Sequence, residues 1–253
     1  MSTYCKDEQI CSVCGTKNSV MVLGSTNACG ASNLDTRPPE MERTDALYNV
    51  QKCTKCGFVA YDLSGETKIK KEFLNSIQYK NCDQIEFMSE FSKMFYRMHL
   101  IDIEEGNSRS AFWSLMRCVW SIDDVNDTNN SIEIRKKCLQ LFDTLNKEEY
   151  EPQLNLVKLD LLRRSKQFDE CMEFIKELKG NNEILSAIYE KTPKDIVDKI
   201  IKLQEKLCID KDDRCYDIEG ELSKPGIPRW YLEHTTILKK SEEDDDDIDW
   251  LNW

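Results

Sequence analysis

Apolar positions follow two rhythms along this chain. Up to about residue 63 they come in short runs, Ser19-Val-Met-Val-Leu23 and Phe58-Val-Ala-Tyr61, among Gly, Asn, Thr and Cys. Runs of that length and type read as strands. Leu34-Asp-Thr-Arg-Pro-Pro-Glu40 reads as a loop, because two adjacent prolines cannot supply the donors of a helix or a central strand. From about residue 66 to 222 the period changes to 3.6. Helices are expected at 67–79, 83–104, 108–123, 131–147, 151–165, 168–179, 182–190, 193–208 and 213–221. Thr192-Pro193-Lys194-Asp195 is a helix start: a capping hydroxyl, a proline in the first turn, then an acid at the positive end of the dipole. The polar breaks are short, so neighbouring helices should run antiparallel. Residues 223–240 carry two prolines and a glycine and read as an extended docking segment.

Cys11-Ser-Val-Cys14-Gly15 and Cys53-Thr-Lys-Cys56-Gly57 repeat one device. Two intervening residues let both thiolates of a pair face one ion. The glycine permits the tight turn that aims backbone N–H groups at sulfur. Four thiolates close a tetrahedral site, so one structural Zn²⁺ held by Cys11, Cys14, Cys53 and Cys56 is expected. Two separate redox pairs would need a thioredoxin-like βαβ setting, which the pattern lacks. A catalytic zinc would want an open position and His or carboxylate ligands. Cys5 and Cys29 lie close enough in sequence to compete as ligands, against the alternative of partly buried free thiols.

Composition sharpens this picture. With 253 residues, 40% hydrophobic and 32% charged, the chain has enough apolar material for a sizeable core. It has neither a membrane-length apolar run nor a secretory leader pattern, so a cytoplasmic location is expected. The formal net charge is −12, and the segment 241–253 contains seven acids and no base. Its basic residues cluster no further than Lys68–Lys71, so a nucleic-acid partner is not favoured.

Leu156 to Leu178 carries the clearest helical signal. Leu159 and Leu162 share one face, Phe168, Cys171, Ile175 and Leu178 another, and the small Cys171 stands where two helices would approach. This resembles a tetratricopeptide hairpin, although its first-helix tryptophan is missing and Lys166 or Gln167 stands where its glycine would be. Ser108 to Leu145 reads as a second, more diverged hairpin. Stacked hairpins leave a groove that binds peptides, whereas an ordinary bundle leaves none. The expected fold is therefore mainly α: a helical-hairpin, tetratricopeptide-like domain (66–222) behind a small N-terminal β-rich zinc ribbon (1–65). The docking segment (223–240) and an acidic aromatic tail (241–253) follow.

Taken together, the chain resembles a group of uncharacterised bacterial proteins that join an N-terminal two-knuckle zinc ribbon to tetratricopeptide-like helices. The residues carrying the likeness are the two knuckles, Asn33-Leu-Asp-Thr-Arg-Pro-Pro-Glu-Met41, Val50-Gln-Lys-Cys53 with Phe58-Val-Ala60, and Leu161-Leu-Arg-Arg-Ser-Lys-Gln-Phe168. It spans about residues 8–215 and implies zinc at the four cysteines.

Three further sets of residues are candidates for function. Asp35, Arg37, Glu40 and Arg43 alternate in sign in the insert between the knuckles. They read either as an ion-pair network bracing the knuckles or as a loop binding a polar ligand. In the tail, Asp247 and Asp249 close an acidic run that is followed by Trp250, Leu251 and Trp253. Exposing two tryptophans is costly, so these read as a partner-binding peptide. His99 and His234 read as structural or solvated. No G-x-S-x-G, phosphate-binding glycine loop or H-E-x-x-H is present. The function expected is a non-enzymatic scaffold or adaptor that binds another protein through the helical groove or the tail. The alternatives are a nucleic-acid accessory protein contacting phosphates through Lys52, Lys55, Arg37 and Arg43, and an enzyme whose site forms only in three dimensions.

Overall fold

The computed structural model describes residues 2–45, 49–85, 88–125, 128–145 and 150–223. The docking segment from residue 224 and the whole acidic tail, with Asp247, Asp249, Trp250, Leu251 and Trp253, lie outside the described residues, as does His234. What is described is mainly helical, with small antiparallel sheets near the N-terminus.

Strands β1 (Thr3–Ile10) and β2 (Lys17–Ser25) form a hairpin whose last pair is Ile10 with Lys17. Its turn is the first cysteine knuckle. Along β2, Asn18 and Val20 point inward while Lys17, Ser19 and Met21 face out, the alternation a one-sided strand requires. The insert then forms β3 (Ala28–Cys29) paired with β4 (Glu40–Met41), followed by one helical turn, α1 (Glu42–Asp45). Strands β5 (Gln51–Lys52) and β6 (Val59–Ala60) close the second knuckle as β1 and β2 close the first.

The helices expected at 67–79 and 83–104 are cut shorter. They form α2 (Lys71–Leu74), α3 (Ile77–Lys80), a 3₁₀ turn (Asn81–Gln84) and α4 (Glu90–Glu104). Two serines do the cutting. Ser76 and Ser89 adopt extended backbone and their side chains accept from the N–H three residues on, Tyr79 and Ser92, which starts a new helix each time. Then come α5 (Ser108–Asp123), α6 (Thr128–Phe142), α7 (Leu154–Arg164), α8 (Phe168–Gly180), α9 (Asn182–Tyr189) and α10 (Lys194–Ile209). Each of α4 to α8 packs on the next, and α10 crosses back onto α7 and α8. Cys171 stands at the close approach of α7 and α8, fully buried, with its Sγ 3.3 Å from the Leu159 carbonyl.

The stretch 213–221 is not a helix. Tyr216 bridges to Leu222 and Asp217 to Asn33, with Gly220 at φ +92° between them. The reason lies in two captures. Lys211 ends α10 in the left-handed conformation, and Arg163 Nη1 then takes the Asp212 and Arg214 carbonyls at 2.6 and 2.8 Å. Those bonds turn the two carbonyls toward a side chain and away from the axis of a continuing helix.

One apolar cluster runs from Cys11, Cys53 and Phe58 through Phe112, Met116 and Leu159 to Val197 and Cys208. The knuckles are thus continuous with the helical core, not a separate bead.

The α7–α8 junction has a Schellman turn with Lys166 at φ +64°: Lys166 N–H reaches Arg163 O and Gln167 N–H reaches Leu162 O, both at 2.9 Å. A lysine therefore fills the position that favours glycine. Lys166→Gly is expected to be more stable than Lys166→Ala by about 1 kcal/mol in urea unfolding, since both lose the same exposed ammonium and only glycine relieves the left-handed backbone. Equal stability of the two variants would contradict this.

Candidate metal centre

The two knuckles superimpose in their bonding. Gly15 N–H donates to Cys11 O at 2.7 Å and Gly57 N–H to Cys53 O at 3.0 Å, while Cys11 and Cys53 N–H reach Thr16 O and Phe58 O at 2.9 and 2.8 Å. Gly15 and Gly57 share φ near +70° (+72° and +73°). No neighbour crowds either glycine, so the backbone angle alone requires them. The turns bring the four sulfurs to within 4.8 Å of one another. Cys11–Cys56 and Cys14–Cys53 are each 3.6 Å apart. A tetrahedron with metal–sulfur bonds of about 2.3 Å has edges of about 3.8 Å. The four cysteines can therefore hold a metal ion. Cys5 and Cys29 are exposed and do not join the cluster.

Side chains around the cluster fix it. Buried Asn18 lies between the knuckles: its Nδ2 donates to Thr16 O at 2.9 Å and approaches Cys53 Sγ at 3.6 Å, and its Oδ1 accepts from Thr54 N and Oγ1 at 2.9 and 3.0 Å. Tyr79 from α3 donates its hydroxyl to Gly57 O at 2.7 Å, tying the second knuckle to the helices. Burial pushes the Cys11 and Cys56 thiols up, whereas the Thr16 hydroxyl beside Sγ brings Cys14 down to about 6. A divalent ion would deprotonate all four.

The insert loop does not brace the knuckles; it binds the helices. Arg37 Nη2 reaches both carboxylate oxygens of Asp124 at 2.7 and 2.6 Å. Asp35 Oδ2 accepts from Trp120 Nε1 at 2.9 Å and from Arg164 at 3.2 Å. Arg43 donates to Pro38 O and Asn33 Oδ1, both at 3.0 Å. Asp35, Arg37 and Arg43 are buried, and the side chain of Glu40 is half exposed at 3.9 Å from Arg43. Arg37 and Arg43 are therefore not placed to meet phosphates, and of the four phosphate contacts named from the sequence only Lys52 and Lys55 remain near the surface.

Comparison with known proteins yields no matching family model, no matching curated protein and no matching solved structure. The site must be read on its geometry.

Among the clefts of the described residues, three have charged linings that bear on function. One of about 430 Å³ lies against the second knuckle, lined by Cys14, Cys56 and the cations Lys52, Lys55, Lys71, Lys80 and Arg97. A second, about 450 Å³, runs between α6, α7 and α8, with Leu139, Leu162 and Phe174 among Asp143, Glu170, Glu173 and Glu177. A third of about 400 Å³ between the second knuckle's strand and α4–α5 holds Asp102. Arg97 and the acids of α8 were not singled out in the sequence, where isolated charges at helical spacing look like a solvated face. His99 Nδ1 is bonded to Ala111 O at 3.0 Å, a structural use. No helix of the described residues is long and apolar enough to cross a membrane.

Two outcomes follow. Cys53→Ser is expected to abolish stoichiometric metal retention, measured by colorimetric metal release after unfolding, and to lower the melting point. Full retention with one thiolate missing would rule out the four-cysteine centre. Asp102 gives the second. Burial pushes its carboxyl up to about 6, although Ser114 donates to it at 2.6 Å. Between about pH 4 and 6 the folded state then holds a proton that the unfolded state has released. This carboxyl thus costs stability as pH rises through that window. Asp102→Asn should stabilise at pH 7.5 relative to the native chain and lose that advantage near pH 4.5, read from melting points; a pH-independent difference would refute it.

Proposed function

We propose that this chain is a zinc-stabilised, non-enzymatic adaptor whose tetratricopeptide-like helices receive a basic peptide segment of another protein. Zinc is the ion assigned because four thiolates in paired knuckles suit it and leave no open coordination position for chemistry. The observation that carries the reading is the cleft between α6, α7 and α8. Glu170, Glu173 and Glu177 stand on one face of α8, and among the described residues none is paired with a base. Phe174 lies between them, half-buried. Lys158 sits at the centre, 3.1 Å from Asp143 and held 4.7 and 4.8 Å from the Phe142 and Phe174 rings. A cation is thus already accommodated there on two aromatic faces, which marks the kind of side chain the cleft favours. An apolar floor with unpaired carboxylates around it complements an amphipathic segment rich in Lys and Arg. The acidic tail with Trp250, Leu251 and Trp253 is the second docking element of the proposal, in cis or toward a partner.

Labelled amphipathic peptides, basic and charge-reversed acidic versions of the same apolar pattern, test the cleft by fluorescence anisotropy. The basic peptides should bind and the acidic ones should not. The triple variant Glu170→Lys, Glu173→Lys, Glu177→Lys should lose at least about tenfold in affinity, about 1.4 kcal/mol, without a change in helical content. Basic peptides that fail to bind, or bind the triple variant equally, would sink the reading. A parallel comparison with a chain ending at Lys240 isolates the tail: identical partners recovered with both would remove it from the proposal.

A further inference from the structure

The cleft beside the second knuckle has a charge composition unlike the rest of the molecule. Lys52, Lys55, Lys71, Lys80 and Arg97 line it, with Asp83 the one carboxylate among the lining residues, in a chain of net charge −12. Lys55, Lys71 and Lys80 are exposed and pair with no carboxylate among the described residues, while Lys52 lies 4.0 Å from Glu90 at the rim. Like charges gathered this way repel one another unless an anion sits among them. A tetrathiolate zinc centre behind Cys14 and Cys56 would carry a charge of −2. That offsets part of the cluster and leaves a net positive cleft.

Arg97 supplies the independent observation. It is 2% exposed and lines this cleft. Its Nη2 binds Asp83 at 2.5 Å, and its guanidinium lies 5.4 Å over the Tyr79 ring. Its Nε and Nη1 are buried with no hydrogen-bond partner. A guanidinium offers five donors in a fixed fork that matches two oxygens of a phosphate, and buried donors are rarely left without an acceptor. Asp83 is itself largely exposed, and the bond from Arg97 lowers its carboxyl from the ordinary value. It takes Nη2, which both edges of the fork share, and leaves the Nε and Nη1 donors on either side for an incoming acceptor.

We propose that this cleft is a binding site for the phosphate group of a small phosphorylated ligand, with Arg97 as the fork at its base and Lys55, Lys71 and Lys80 around the mouth. The volume of about 430 Å³ is that of a small-molecule site. A polynucleotide would need its basic track to continue along the surface, and two of the arginines nearest in sequence to the knuckles, Arg37 and Arg43, are buried in the interior instead. The site is separate from the acidic cleft of α6–α8, so it stands or falls apart from the adaptor reading.

Isothermal titration of the full chain, with its metal as purified, tests this with three probes: inorganic phosphate, pyrophosphate and a short oligothymidylate. Pyrophosphate is expected to bind at one site per chain, more tightly than phosphate, and to raise the melting point. The exposed double variant Lys71→Gln, Lys80→Gln should fold as the native chain does and lose at least about tenfold in pyrophosphate affinity. Arg97→Lys keeps the charge but not the fork; it should weaken pyrophosphate binding while the metal content stays at one per chain. Three results would overturn the proposal. They are no heat from phosphate or pyrophosphate up to about 5 mM at low salt, binding unchanged in the double variant, or tighter binding of the oligonucleotide with several nucleotides covered per chain, which would make the cleft part of a nucleic-acid surface.

Discussion

Asp123 and Arg164 meet in the interior at 2.9 Å, and most of the architecture converges on that contact. Asp123, at the end of α5, also takes two bonds from Arg135 of α6 at 3.1 and 2.5 Å. Arg164, at the end of α7, reaches Asp35 in the insert between the knuckles. Asp35 in turn holds Trp120 of α5, and Arg37 holds Asp124. Three helices and the insert are therefore joined through buried pairs of opposite charge. Burial works to raise the Asp123 carboxyl, yet Arg135 and Arg164 outweigh it and keep it well below its ordinary range. Such a network stabilises little compared with apolar side chains of the same shape, but removing one member strands another, at a cost of about 3–5 kcal/mol. It fixes which helix end meets which loop more than it adds to stability.

The same principle extends toward the C-terminal side of the described chain. Arg163, fully buried beside Arg164, spends its donors on Asp160, Gln204 and the Asp212 and Arg214 carbonyls. Neighbouring arginines on α7 thus face opposite tasks. One secures the N-terminal insert, the other the segment after α10. Asn33 joins the two, with its backbone bridged to Asp217 and its side chain 3.1 Å from Cys215. The four-cysteine cluster then has a defined place. It joins two two-stranded hairpins that would be marginal alone, and Asn18, Tyr79 and the shared apolar cluster attach it to a body ordered by the charge network.

The candidate binding features sit on the outside of this frame and have opposite charge. Acids unpaired on α8 surround an apolar floor, and cations gather beside the second knuckle. Rigid surroundings matter for both, because a side chain held by its neighbours loses little freedom when a ligand arrives. Lys158 between two aromatic rings and Arg97 over Tyr79 are held in that way.

The sequence by itself determined the elements whose causes are local. The knuckles were legible because spacing and glycine fix their turns, and the tetrahedral grouping of Cys11, Cys14, Cys53 and Cys56 follows from two copies of one turn. The helices from Ser108 onward were legible because their apolar stripes persist for several turns, and the small Cys171 marked a close helix approach. The short helices before α4 were overrun, because periodicity carries through a capping serine that only backbone geometry reveals. The stretch 213–221 departs from helix for a different reason: the Asp212 and Arg214 carbonyls at its start are held by Arg163, some fifty residues away, and no local pattern records that. The alternating charges from Asp35 to Arg43 left a bracing network and a ligand loop both readable, because the partners of Asp35 and Arg37 come from α5 and α7 and the nearby sequence does not show them. Tertiary structure alone decided that they would be buried against helices and not displayed. It likewise gathered Lys55, Lys71, Lys80 and Arg97, scattered along the chain, around a single cleft, since charge acts through space and the sequence orders residues only along the chain.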